Sequence, residues 1–105
     1  MTDPGSPYRV AFLLVPGYSQ LAFSSAIEPL RMANQLSGVE HYQYHLISKD
    51  GRPVTASNRV RTAVDHPMGQ EPVVDLVIVC GGVDIETQSD REMLAWLRRL
   101  ARKNT

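Results

Sequence analysis

Apolar residues along the chain follow two rhythms. From Tyr8 to Val15 the sequence reads Tyr-Arg-Val-Ala-Phe-Leu-Leu-Val, and it is continuously apolar from Val10 onward. Such a run predicts a strand buried on both faces, as in a parallel sheet. Pro16-Gly17 stops it. The spacing then changes: Phe23, Ala26, Ile27, Leu30 and Ala33 recur on one face of a helix. Pro29 leaves two readings open. Either the regular helix begins near Glu28, with Pro29 in its first turn and Ser25 as its cap, or a longer helix is bent at Pro29. Asn34 to Gly38 ends it.

Tyr42–Ser48 alternates and predicts a second strand. Lys49-Asp50-Gly51 is a turn, Pro53–Ala56 and Arg59–Thr62 predict a short hairpin around Ser57-Asn58, and Asp65–Pro72 reads as loop. Val73–Cys80 predicts the third core strand, ended by Gly81-Gly82. Ser89 and Glu92 make an S-x-x-E capping box. Met93, Leu97, Leu100 and Ala101 then line one face of a second helix. Strand, helix, strand, hairpin, strand, helix is the order of an α/β fold with a doubly wound, mostly parallel sheet and flanking helices. Residues 1–7 are polar and turn-rich, so a disordered tail is expected there and a domain over 8–105. Three core strands and two helices would leave edges and faces bare. The sheet is therefore expected to be unfinished at its C-terminal end, as in a fragment or a subunit completed by a partner. Bare edges favour self-association.

Composition narrows the function. The chain has 11 basic and 11 acidic residues. A neutral chain carries no electrostatic footprint for nucleic acid, so any DNA contact is expected from another segment. Cys80 is the single cysteine, which excludes an internal disulfide and a four-cysteine zinc site and points to a reducing, cytoplasmic compartment. No apolar run approaches the roughly 18 residues that cross a bilayer. No phosphate-binding, dinucleotide, nucleophile-elbow or zinc-protease motif occurs, so no cofactor is expected.

Candidate chemistry collects at strand ends. The Pro16-Gly17 and Gly81-Gly82 turns both follow core strands, and in open α/β sheets ligands bind beyond the carboxyl ends of strands. Backbone N–H groups there can hold an anion, although glycine often serves only the turn. Ser24, Ser25 and Glu28 follow the first strand. Serines at a helix start are usually caps, and Ser25 is read that way; Glu28 can meet a cationic ligand or pair with Arg31 one turn on. A crevice lined by Gly17, Tyr18, Ser24, Glu28, Gly81 and Gly82 is therefore the expected ligand site, with the Tyr18 ring offering a face to a cation. Cys80 lacks a base nearby and reads as a buried, inert thiol. His41, His45 and His66 show no metal-ligand spacing: on a strand, positions 41 and 45 lie roughly 13 Å apart. Arg98, Arg99, Arg102 and Lys103 read as a solvated helix end that suits the helix dipole.

Two strings carry a resemblance. Phe12-Leu13-Leu14-Val15-Pro16-Gly17-Tyr18-Ser19 and Ala26-Ile27-Glu28-Pro29-Leu30-Arg31-Met32-Ala33-Asn34 resemble AraC-type transcription regulators with a class I glutamine amidotransferase-like (PfpI-like) sensor domain. Ser48–Asn58, Val77–Gly82 and Trp96–Ala101 are similar to later parts of the same domain. The resemblance implies a flavodoxin-like fold, a sensor that dimerises and answers to a small metabolite such as an amino acid or quaternary amine, and a C-terminal helix-turn-helix pair, absent here, that binds promoters. In catalytic relatives the nucleophilic cysteine follows the next strand and a supporting glutamate falls near Ala22, so the resemblance does not make Cys80 a nucleophile. The alternative it carries is part of a PfpI-like hydrolase or glyoxalase.

Overall fold

The computed structural model describes residues 6–82 and 91–103. Its elements are β1 (Tyr8–Leu14), α1 (Gln20–Ser37), β2 (Tyr42–Ser48), β3 (Val54–Thr55), β4 (Arg61–Thr62), β5 (His66–Pro67), β6 (Leu76–Cys80) and α2 (Arg91–Arg102). Four strands form one parallel sheet in the order β5-β2-β1-β6, while β3 and β4 form a separate antiparallel hairpin. This is the parallel, helix-flanked sheet that the alternation of elements predicts.

The register explains why β1 carries no polar alternation beyond Arg9. Tyr8–Leu13 pairs with Tyr42–Ile47 on one side, and Val10–Leu14 pairs with Leu76–Cys80 on the other. A central strand with a layer on each face has no solvent side. Val10, Phe12 and Leu14 enter one core with Tyr18, Phe23, Val54 and Ala56. Ala11, Leu13 and Val15 enter a second with Ile47, Val74, Met93 and Trp96. Each large side chain buried this fully contributes about 1.5–3 kcal/mol.

Several sequence expectations shift. The longer helix wins over the late start: Ser19 is the cap, its Oγ accepting the Ala22 N–H at 3.2 Å, and α1 runs through Pro29. Ser25 is exposed inside the helix and caps nothing, because the chain turns helical at Gln20, five residues before it. Gly38 closes α1 at φ 72°, its N–H reaching the Asn34 carbonyl. The Asn34 side chain then ties this end to β2, donating to the Tyr42 carbonyl at 2.8 Å and accepting the Tyr42 N–H at 3.0 Å.

The segment expected as loop over Asp65–Pro72 contains β5. Asp65 aligns it, because its N–H donates to the Leu46 carbonyl and its carboxylate accepts the Leu46 N–H. The third core strand begins at Leu76 and not at Val73. Val73 is exposed, and Asp75 is drawn to Arg9: its carboxylate takes the Arg9 N–H at 2.8 Å and both ends of the guanidinium. On α2 the buried face is Met93, Trp96, Leu97 and Leu100; Ala101 is exposed and Trp96 takes its place. Arg98, Arg99, Arg102 and Lys103 are exposed, as a solvated helix end requires. Ser89 of the expected capping box and most of the expected tail over 1–7 lie outside the described residues. Glu92 faces Lys49 at 3.8 Å.

Candidate functional site

Parallel pairing brings the carboxyl ends of β1 and β6 together, with Leu14 opposite Cys80. The turns beyond them are in contact. The Val15 N–H donates to the Cys80 carbonyl and the Ser19 N–H to the Gly81 carbonyl, both at 3.0 Å. A Cβ added to Gly82 would lie 2.2 Å from the Gly17 carbonyl oxygen. Gly82 therefore permits a close approach of two backbones, and Gly17, Gly81 and Gly82 converge as the sequence suggests.

On the β1 side the backbone donors of this turn are already taken. The Gly17 N–H donates to the Thr55 carbonyl at 2.9 Å, the Tyr18 N–H to the Val15 carbonyl at 2.9 Å, and the Ser19 N–H is spent on Gly81. Those donors are committed to the protein and cannot also grip an anion. Tyr18 is wholly buried. Its ring stands edge-to-face on Phe23 at 5.9 Å, Phe23 stands likewise on Phe12 at 5.7 Å, and its hydroxyl hydrogen-bonds Thr62 Oγ1. The ring expected to face a cation is a core side chain that pins the β3–β4 hairpin.

Glu28 is elsewhere. Because β1 and β2 are parallel, α1 must return the chain toward their amino ends, and eight residues past Gln20 is about 12 Å along the helix. Its half-exposed carboxylate pairs with Arg31, which also donates to Gln35 Oε1 at 2.6 Å. Ser24 lies one turn into α1 and is partly buried. Of the six expected residues, Gly17, Tyr18, Gly81 and Gly82 meet, whereas Glu28 does not reach them.

Cys80 is 8% exposed, and burial pushes its thiol up to about 11. At neutral pH it holds its proton, which is the chemistry of an inert core thiol. His45 and His66, distant in sequence, are brought within 5.5 Å between ring centroids by the β2–β5 pairing. Among the described residues no group of three or more histidines, cysteines or carboxylates could hold a metal ion.

Open space lies on the other flank of β1, and a shallower hollow of about 610 Å³ lies at the end of α1 between Arg31, Asn34 and Tyr44. A cavity of about 480 Å³ sits at the carboxyl ends of β1 and β2, under β3 and beside α2. Leu13, Val15, Val54, Met68 and Met93 line its apolar part, and Ser48, Lys49 and Asp50 supply the polar part. In the sequence Ser48 reads as the end of the second strand and Lys49-Asp50-Gly51 as a plain turn. The rule that singled out Gly17 and Gly82, a turn at the carboxyl end of a parallel strand, applies to it equally.

No protein-family profile matches the chain. Individual proteins do. The HTH-type transcriptional regulator GbdR of Pseudomonas aeruginosa is 45% identical over 98 residues, which are 93% of this chain and 27% of GbdR. The HTH-type transcriptional regulator CdhR of the same species is 38% identical over 91 residues, 87% of this chain and 27% of CdhR. This chain is a homologue of HTH-type transcriptional regulators. It spans about a quarter of the length of these relatives. An AraC family transcriptional regulator from Pseudomonas putida superposes with a TM-score of 0.77 at 26% identity, over 92% of this chain and 60% of that one. A ThiJ/PfpI family protein from Pseudomonas syringae superposes with a TM-score of 0.66 at 21% identity, over 88% of this chain and 37% of that one, and shows the same flavodoxin-like fold.

Proposed function

We propose that the chain is part of the ligand-sensing, self-associating domain of an AraC-family regulator. In this reading it acts in the cytoplasm and answers to a small metabolite, an amino acid or quaternary amine. Promoter DNA is bound by a helix-turn-helix domain outside these residues. The observation that carries the reading is the 45% identity to a transcriptional regulator across 93% of the chain. The balance of 11 basic and 11 acidic residues supports a DNA contact made by another part of the polypeptide. Among the described residues no helix is long and apolar enough to cross a membrane. Self-association is part of the reading that the resemblance implies. Among the described residues β5 is blunted by its two-residue length and Pro67, which disfavours pairing through that edge.

The test uses promoter DNA upstream of the gene. The full-length polypeptide is expected to retard it in a salt-sensitive, sequence-selective way and to change that binding with a metabolite, while residues 1–105 alone retard nothing selectively. Selective retardation by the short chain would sink the division of labour. The second reading, a PfpI-like hydrolase or glyoxalase, is favoured by the fold shared with a ThiJ/PfpI protein. It demands a reactive nucleophile, and the buried Cys80 thiol argues against that residue. Glyoxalase or amidase turnover that disappears on Cys80→Ser would establish the enzyme and overturn the sensor.

A further inference from the structure

His45 and His66 meet across the seam between β2 and β5. We propose that they form a two-histidine site for a divalent transition-metal cation of the zinc, nickel or copper kind, and that the bound cation clips the short strand β5 to β2.

Spacing along the chain hides this pair. Local comparison sets His45 against His41, which a strand holds roughly 13 Å away. The sheet supplies the missing proximity. His66 stands opposite Ile47 in the parallel register, so it shares a face with His45, two residues back on β2. The ring centroids are 5.5 Å apart and the planes are inclined by 50°, so the rings are not stacked face to face.

That separation suits chelation by two imidazoles. A metal–nitrogen bond of about 2.0–2.1 Å puts each ring centroid about 3.2 Å from the cation, so a tetrahedral angle at the metal spaces the two centroids about 5.2 Å apart. The observed spacing lies within about 0.3 Å of this. Imidazole nitrogen suits zinc, nickel and copper, whereas magnesium and calcium demand oxygen ligands. Both histidines are partly exposed, so a cation reaches them from water. Two protein ligands leave the other coordination positions to water, which makes the site exchangeable and distinct from a four-ligand structural centre.

The backbone beside the pair is already fixed. Asp65 precedes His66 and Leu46 follows His45. The Asp65 N–H donates to the Leu46 carbonyl, and the Asp65 carboxylate accepts the Leu46 N–H, both at 2.8 Å. This clasp joins the neighbours of both histidines and sets their spacing before a cation arrives, which lowers the ordering cost of binding. The cation in turn strengthens a thin seam. β5 meets β2 at two register pairs, Ile47 with His66 and Ser48 with Pro67, and Pro67 has no N–H to give to the ladder. A metal bridge from His45 to His66 adds a side-chain link there.

Calorimetric titration of the untagged full-length polypeptide with zinc, nickel, copper and magnesium salts tests the site. The three transition cations are expected to bind, copper most tightly, and magnesium is expected not to displace zinc. His45→Gln and His66→Gln are each expected to weaken zinc by about tenfold or more with an unchanged far-ultraviolet dichroism spectrum. The double variant is expected to be little weaker than either single one, because half a chelate holds the cation as poorly as none. His41→Gln is expected to bind as the parent does. Should a variant fail to fold, hydrogen exchange of the parent reads the clip directly. Zinc is expected to slow exchange of the Asp65 and Met68 amides, which donate to the Leu46 and Ser48 carbonyls of β2. The proposal falls if either single variant keeps the parent's zinc affinity, if the two losses multiply in the double variant, or if His41→Gln weakens zinc as much. It falls equally if magnesium displaces zinc or if zinc leaves the exchange of both amides unchanged.

Discussion

The two sides of β1 end differently. Toward β6 the chain turns on Pro16-Gly17, the backbones of Gly17 and Gly82 touch, and three consecutive N–H groups are spent on internal carbonyls. Toward β2 the chain turns on Lys49-Asp50-Gly51, and a cavity remains beneath the β3–β4 hairpin. Both are carboxyl ends of parallel strands, and both carry a glycine in the turn. What separates them is what covers them. On the first, Tyr18, Phe23 and Phe12 interlock edge to face in the core below the Pro16-Gly17 turn. On the β2 side the walls mix Leu13, Val15 and Val54 with Met68 and Met93, and the turn is held by hydrogen bonds to Arg52, so the backbone is fixed while space stays open. A glycine at a strand end thus marks close approach in one place and a cavity rim in the other, and only the covering side chains tell them apart.

The sharpest way to break the comparison is to empty the filled side. Phe23→Ala removes the ring wedged between Phe12 and Tyr18, and the loss is expected to be about 3–5 kcal/mol in urea unfolding. A cost below 1 kcal/mol would mean that this side is not close-packed. Gly82→Ala comes next. Its Cβ would collide with a backbone oxygen, not with a side chain that can swing away, so overpacking of about 1–3 kcal/mol is expected. A neutral result would show that the two turns are free to separate.

A smaller effect concerns the amino-terminal end of the same strand pair. Hydrogen bonds from Arg9, its guanidinium first and then its backbone N–H, hold the Asp75 carboxyl below its ordinary value. A group with a depressed folded-state pKa adds stability that is present above the unfolded value and is lost as pH falls through the folded one. Stability should therefore decline below the ordinary carboxylate range, and Asp75→Asn should remove part of that acid dependence. Identical acid limbs in parent and variant would exclude the pair as a contributor. The smallest effect is expected at Glu28. Its pairing with Arg31 is exposed and one turn apart, so Glu28→Gln should cost about 0.2–0.5 kcal/mol and leave any metabolite response intact. Loss of the response would place the ligand on α1, beside Glu28 and Arg31.

What the residues determined alone was the order and kind of elements. A short apolar run bounded by turn residues suits a strand buried on both faces, a 3.6-residue rhythm buries one helical stripe, and Val10–Val15, Phe23–Ala33 and Val73–Cys80 carry these patterns. The convergence of Gly17 with Gly82 was equally legible, since parallel neighbours must end on one side. The tertiary structure decided the rest. Whether α1 starts at Gln20 or near Glu28 was settled by the Ser19 cap and by packing that carries the helix through Pro29, which no local rule could weigh. Tyr18 read as a ligand platform because its sequence neighbours are turn residues; its burial depends on Thr62 and Phe23, one of them 44 positions away. The cavity was invisible for the same reason. Its walls come from β1, β2, β3, the segment after β5 and α2, and empty volume is a property of how distant side chains fail to meet, which has no period and no motif in the chain.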